Sequence, residues 1–174
     1  MIVGRGDLAS AITDREGFTY FCSGVSNREP ITDRARQNEL NRIWRMNGTQ
    51  DMFVYFSTLS IFYVNDLTGN SREYTEHKIN MENLVRRTFD NYAIVRIGNI
   101  TWGSNPNTIV NYLKAKIKND EPYEVKDVYR YVVDKDEFQH WVGQLPPKGK
   151  VEHGITGRMM KVEQIVREIK EERL

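Results

Sequence analysis

Short apolar runs alternate with amphipathic stretches along this chain. Residues 1–3, 18–22, 52–57 and 92–97 are apolar or aromatic throughout and too short for helices, so they read as strands. Helical spacing predicts a helix over about 7–15. A second helix follows a Thr32 cap and carries Ala35, Leu40, Ile43 and Trp44, and a third covers 74–89 with Ile79, Leu84 and Val85 inward. Past Gly103 the pattern gives a helix over 107–118, a strand near 127–133 and a helix from Asp136. The last helix, 161–173, lines up Val162, Ile165, Val166 and Ile169 in a stripe of ordinary core packing. Residues 144–150 read as a surface loop, and no internal repeat or low-complexity segment interrupts the order. Alternation of strand and helix is the signature of an α/β fold, a parallel sheet with helices on its faces.

Composition narrows the function classes. A chain of 174 residues forms one compact domain. Its 25 Lys and Arg against 24 Asp and Glu leave a net charge of +1, with both signs interspersed, and this excludes a large basic field for nucleic acid or anionic lipid. One cysteine makes no internal disulfide. There is neither a cationic-then-apolar leader nor an apolar run approaching the length of a membrane span, so a soluble, reducing, cytoplasmic setting is expected. Cys22, His77, His140 and His153 show no metal-ligand spacing.

The chemistry concentrates around Tyr74 and Lys78. At i and i+4 on one helix face, a lysine charge favours the tyrosinate and draws the phenol's pKa from about 10 toward neutrality, where it serves as a general acid or base. The hydroxyl-rich strand end Ser57-Thr58 precedes the pair and could hold a carbonyl oxygen while Tyr74 exchanges the proton. Tyr112 and Lys116 repeat the spacing, but deep in a later helix with no hydroxyl-rich strand end before it. At the start of the chain, Gly4-Arg5-Gly6-Asp7-Leu8-Ala9 follows a short strand as Gly-x-Gly-x-x-Ala. That is a phosphate-binding turn pattern: a tight turn, close backbone approach to a pyrophosphate, and a helix whose N–H groups aim at the anion. Asn107, at a helix start, reads as a cap.

Together these pieces resemble the extended short-chain dehydrogenase/reductase family, the nucleotide-sugar epimerases, dehydratases and ketoreductases. Further segments carry the resemblance: Tyr55-Phe56-Ser57-Thr58-Leu59-Ser60-Ile61-Phe62, Ile94-Val95-Arg96-Ile97-Gly98-Asn99, Tyr129-Arg130-Tyr131 and Phe21-Cys22-Ser23-Gly24. The resemblance implies a Rossmann-like parallel sheet, with residues 99–174 contributing a small substrate-side portion. It implies Thr58, Tyr74 and Lys78 as catalytic residues, with Ser57 as the fallback for Thr58. Gly4, Arg5, Gly6, Leu8, Ser23, Gly24 and Lys78 would hold NAD(P), and Ser57, Ser60, Asn99 and Arg130 a nucleotide-sugar. It also implies a homodimer through the helices near 32–46 and 74–89. One departure is large. The acidic residue that grips the adenosine ribose about 20 positions after the glycine turn is replaced by Phe21-Cys22-Ser23-Gly24. The strand there resembles the family's fourth, as though the second and third had been removed. Arg5 or Arg28 would suit a 2′-phosphate, which tips the cofactor toward NADP. Two other readings stay open: a non-catalytic nucleotide or nucleotide-sugar binding module, and a cofactor-free sugar isomerase.

Overall fold

The computed structural model describes residues 1–27 and 30–174. Arg28, a candidate phosphate ligand by sequence, lies outside the described residues. The spine of the fold is β3 (Met52–Thr58), whose residues 52–57 are all buried. An unbroken apolar run suits a strand covered on both faces. To one side lie β2 (Phe18–Phe21) and then β1 (Ile2–Val3); to the other lie β4 (Tyr92–Ile97) and β7 (Lys150–Ile155). All four pairings are parallel and the order is β1-β2-β3-β4-β7.

Alternation along β3 divides the core into two layers. Met52, Val54 and Phe56 pack with Phe138 and Val142 of α4 (Lys135–Gly143). Phe53 and Tyr55 face the other way, toward Ile43 of α1 (Asp33–Trp44) and Met81 and Val85 of α2 (Gly69–Thr88). A second sheet joins β5 (Asn99–Ile100), β6 (Tyr129–Val133) and the antiparallel β8 (Arg158–Lys161). Against it, α3 (Ile109–Lys118) and α5 (Val162–Lys170) close a separate apolar cluster around Leu113, Val132 and Ile165. Gly157 makes that approach possible, since its φ is +63° and a Cβ there would stand 2.1 Å from the Val132 carbonyl oxygen.

Several expectations need correction. Residues 7–15 form no α-helix, only a 3-10 turn at Ala9–Ala11. The next residues are committed elsewhere: Asp14 pairs with the Met1 amine at 2.6 Å, and Arg15 donates to the Gly143 carbonyl at 2.8 Å while lying over the Phe18 ring. Helix α2 begins at Gly69, so Tyr74 sits in its second turn instead of opening it. Thr108, not Asn107, caps α3, its hydroxyl accepting from the Asn111 N–H. The last helix stops at Lys170 and α4 begins one residue early, capped by Asp134. Strands β5, β7 and β8 were not expected. They are short or polar: β7 alternates exposed and half-buried residues until Ile155, which hides the apolar signal a buried strand gives. Among the described residues no helix is long and apolar enough to cross a membrane.

Candidate active site

The C-terminal ends of β1 to β4 open on a cleft of about 990 Å³. Parallel sheets place ligands there because the strand ends and following loops leave backbone donors and short side chains around a concavity. One wall is the end of β3, where Ser57 and Thr58 lead into a 3-10 segment, Leu59–Asp66, that carries Ser60 and Tyr63. Helix α2 contributes Tyr74 and Lys78, and β5 and β6 contribute Asn99 and Arg130. The loop after β1 contributes Arg5, Gly6 and Leu8, and the end of β2 contributes Ser23 and Gly24. Among the described residues, Gly4 is the one site candidate from the sequence outside the lining. It lies beneath, with φ +124° and so close to β2 that a Cβ would stand 2.6 Å from the Cys22 carbonyl oxygen.

A buried charge network forms the floor. The Lys78 ammonium, 4% exposed, donates to the Tyr55 hydroxyl at 3.1 Å and the Phe56 carbonyl at 3.2 Å, and lies 3.6 Å from Oε1 of Glu39. Oε1 of Glu39, a residue 2% exposed, also accepts from the Tyr55 hydroxyl at 2.8 Å, while Oε2 accepts from the Val25 N–H at 2.6 Å and meets Nε2 of His77 at 2.8 Å. Burial alone would raise the Glu39 pKa. The Lys78 charge and the bonds from His77, Val25 and Tyr55 overcome that and hold it at about 2. Gly24 seals the network from above, because a Cβ there would stand 2.8 Å from both Lys78 Nζ and Glu39 Oε1.

This network corrects the expected electrostatics of Tyr74. Lys78 turns to Tyr55, 4.8 Å from that ring's centroid, and is 5.9 Å from the Tyr74 centroid. Burial raises the Tyr74 pKa, Lys78 lowers it, and Glu39 raises it again; the net direction is upward, not toward neutrality. Tyr74 is therefore a protonated phenol at neutral pH, set to donate. Tyr112 also lines the cleft, but its partner Lys116 pairs with Glu121 at 2.6 Å.

The hydroxyls differ in how they are engaged. Thr58 donates to Ser60 Oγ at 3.1 Å while accepting from the Ser60 N–H, and Ser60 Oγ lies 3.2 Å from the Tyr63 hydroxyl. Ser57 is buried, alternates onto the Tyr55 face of β3, and its Oγ has no hydrogen-bond partner among the described residues. A buried, partnerless hydroxyl lining a cleft is equipped to bind a ligand oxygen.

At the glycine turn, Asp7 directs its carboxylate away from the cleft's middle. It accepts from the Ser104 N–H at 3.0 Å and the Asn105 N–H at 3.1 Å, while its carbonyl takes the Trp102 indole N–H. Asn105 and Asn107 donate on to Asn27, tying residues 101–108 to the loop after β2. Arg42, unforeseen by sequence, reaches from α1 to donate to the Ser23 hydroxyl. On the substrate side, the Asn99 amide donates to the Tyr131 carbonyl at 3.0 Å and Arg130 to the Tyr129 carbonyl at 3.0 Å.

Glu39, Tyr55, His77, Tyr63 and Arg42 were missed by sequence reasoning. Glu39 left a signal. It stands midway on the stripe Ala35, Glu39, Ile43, and a carboxylate on a buried face needs a buried partner. Tyr55 left none, being one aromatic in an apolar strand.

No family model matches the sequence, and no curated protein matches it. Solved structures do. The Bordetella bronchiseptica enzyme WbmG in complex with NAD superposes with a TM-score of 0.69 at 11% identity, covering 90% of this chain and 56% of its own. The Bacillus cereus UDP-glucuronic acid 4-epimerase in complex with UDP-glucuronic acid and NAD gives 0.67 at 15%, covering 89% and 59%. A hypothetical dTDP-4-dehydrorhamnose reductase from Sulfolobus tokodaii gives 0.67 at 14%, covering 90% and 61%.

The chain shares the fold of these structures, a Rossmann-like parallel sheet flanked by helices. It spans less than two thirds of the length of these neighbours. The sheet also lacks a feature of the doubly wound Rossmann arrangement, in which strand order reverses beside the first strand and a dinucleotide straddles the reversal. Here β1 is the edge strand. The residues present suit the nicotinamide side of such a cofactor: an open glycine turn, small residues at the end of β2, and a lysine and tyrosine beyond. They do not offer a second set of strands for its adenosine side.

Proposed function

We propose that the cleft carries out acid–base chemistry at a carbonyl or alcohol carbon of a nucleotide-linked sugar, as an NAD(P)-dependent oxidoreductase or epimerase. The observation that carries this reading is that Tyr74, the hydroxyl end of β3 and the buried Lys78 line one cleft together with the glycine turn. Nicotinamide, when bound, supplies or accepts the hydride; the protein's own groups handle the proton and the geometry. Tyr74 donates a proton to the substrate oxygen as it becomes an alkoxide, or takes one in the reverse direction. Thr58, on releasing Ser60 Oγ, donates a hydrogen bond to the same oxygen, with the unpartnered Ser57 hydroxyl beside it as the alternative donor. Lys78 stabilises the tyrosinate left behind, and Glu39 holds that ammonium in place. Ser60 extends the hydroxyl row, and Asn99 and Arg130 meet the diphosphate, the guanidinium by a forked contact.

Gly6, Leu8, Ser23, Gly24 and Lys78 hold the cofactor, with Gly4 giving the turn its shape and Arg5 the cation nearest a phosphate. A 2′-phosphate on Arg5 would favour NADP. Dimerisation through α1 and α2 belongs to the same reading. Sedimentation at tens of micromolar tests it, with monomer alone as the refuting result.

Tyr74→Phe is the decisive experiment. Turnover on a nucleotide-sugar panel should fall by about 10²–10⁴ with stability nearly unchanged, because the mutation removes one hydroxyl from a cleft wall. Undiminished turnover would refute the assignment, and an equal loss in Tyr112→Phe would move it to the other pair. The edge position of β1 keeps one second reading in view, a binding module without hydride chemistry. Nicotinamide fluorescence on titration with NADH and NADPH separates the two, since no binding of either would favour the module.

A further inference from the structure

The central sheet extends in one direction only from its first strand. β1 is at the edge, and β2, β3, β4 and β7 follow on one side. Residues 4–17 lead directly from β1 to the parallel β2 through a single 3-10 turn. One bank of the dinucleotide crevice is therefore built and the other consists of loop and solvent. Gly6, Ser23, Gly24, Lys78 and Tyr74 line the cleft on the built bank.

Resting on the function proposed above, we propose that this cleft recognises a nicotinamide mononucleotide unit, and that the adenosine half of a dinucleotide adds almost nothing to binding. Three features of the built bank support a complete half-site. A Cβ on Gly6 would meet nothing within 4 Å, and Gly6 lines the cleft, so its backbone stands bare to an incoming phosphate. Gly24 has no room for a side chain over Lys78 and Glu39, which leaves a flat floor there for a ribose. The Asp7 carboxylate, the one negative charge at the turn, is turned into the Ser104 and Asn105 N–H groups.

The other bank contrasts at each point. A ribose gripped through both hydroxyls needs an acceptor such as a carboxylate at the end of a second strand. The strand that pairs with β1 is β2, and it ends in Phe21 and the small residues Cys22, Ser23 and Gly24. The described side chain on that side that can reach a ligand is Arg5, which is exposed. It donates to phosphate and does not accept from a ribose. A 2′-phosphate is the only part of the adenosine half for which it has the right chemistry.

Reduced nicotinamide mononucleotide and NADH, each titrated against the full chain by nicotinamide fluorescence and by calorimetry, test the proposal. The two dissociation constants should agree within tenfold, and adenosine 5′-monophosphate at the same concentrations should displace neither. Gly6→Val, whose Cβ has open space around it at a cleft-lining position, should weaken both ligands by more than tenfold and by the same factor. NADH binding more than tenfold tighter than the mononucleotide, or displacement by adenosine monophosphate, would overturn the proposal while leaving the NAD(P) reading intact. Equal binding that Gly6→Val leaves unchanged would also overturn it, by placing the phosphate elsewhere. Failure of both nicotinamide ligands to bind would remove the cofactor reading itself, and this proposal with it.

Discussion

Two buried carboxylates grip α2 one turn apart, and they are held in opposite ways. Glu39 reaches Lys78 and His77 from α1; Glu82 sits on α2 itself, four residues past Lys78. Around Glu39 the partners are one ammonium, one imidazole, one phenol and one backbone N–H, all buried beneath Gly24. Around Glu82 they are two guanidiniums: Arg96 donates twice, at 3.0 and 2.6 Å, and Arg86 once at 2.8 Å. Both arginines continue outward to the partly exposed Glu152, and Arg96 lies under the exposed ring of Phe62. The Glu82 network drains toward solvent, and no member depends on one partner alone. The Glu39 network has no such outlet. Among the described residues its lysine has a single counter-charge, so the same residue type, equally buried, shares two cations with a surface carboxylate in one place and alone neutralises a buried ammonium in the other.

The contrast predicts unequal losses. Glu39→Gln strands a buried ammonium and should cost about 3–5 kcal/mol in chemical unfolding. Adding Lys78→Met should recover part of that, because the unpaired charge goes with it. If the double variant is as unstable as the sum of the singles, the two groups are not coupled and the contrast fails. Glu82→Gln should cost less, about 2 kcal/mol, since both arginines keep Glu152 and water. A larger loss than for Glu39→Gln would invert the comparison.

Acid titration should show the smallest effect. Glu39 and Glu152 are both held at about 2 against an ordinary 4.5, Glu152 chiefly by its bond from Arg86 and then Arg96 despite some burial. The folded state thus binds fewer protons than the unfolded one between those values. Stability from these charges is complete above about pH 5 and is lost as the pH falls toward 2. Glu39→Gln should flatten that slope, measured by the urea midpoint at each pH, and a slope unchanged by the variant would show that Glu39 is not the group being titrated.

Periodicity made the central sheet legible because β2, β3 and β4 are buried on both faces and carry little but apolar residues. It failed on β7, whose polar alternation resembles a loop, and on residues 7–15, where helical spacing was overruled by the ties of Asp14 and Arg15 to distant groups. At the site, the Tyr74 and Lys78 positions and the hydroxyl end of β3 were visible as residue types at known spacing, and the structure brings them to one cleft. The direction of the Tyr74 shift was not visible. It is set first by burial of the phenol and then by Lys78 and Glu39, and no local pattern shows how deeply the group is buried or that a carboxylate from another helix, 35 positions earlier, reaches it. Spacing on one helix identifies neighbours, but it does not say which of them a lysine will turn toward.

The pairing of β4 with β7 has a consequence for how the molecule is made. Ile97 lies opposite Ile155, and α3, β6 and α4 come between them in the chain. As the polypeptide emerges from the ribosome, β1 to β4 can assemble early, but the outer hydrogen-bonding edge of β4 stays bare until residue 155 is available. Closing so long a loop is slow, and an open strand edge invites pairing with other chains meanwhile. The interval between synthesis of β4 and of β7 is therefore when this protein is most exposed to aggregation, and when a chaperone would have most to protect.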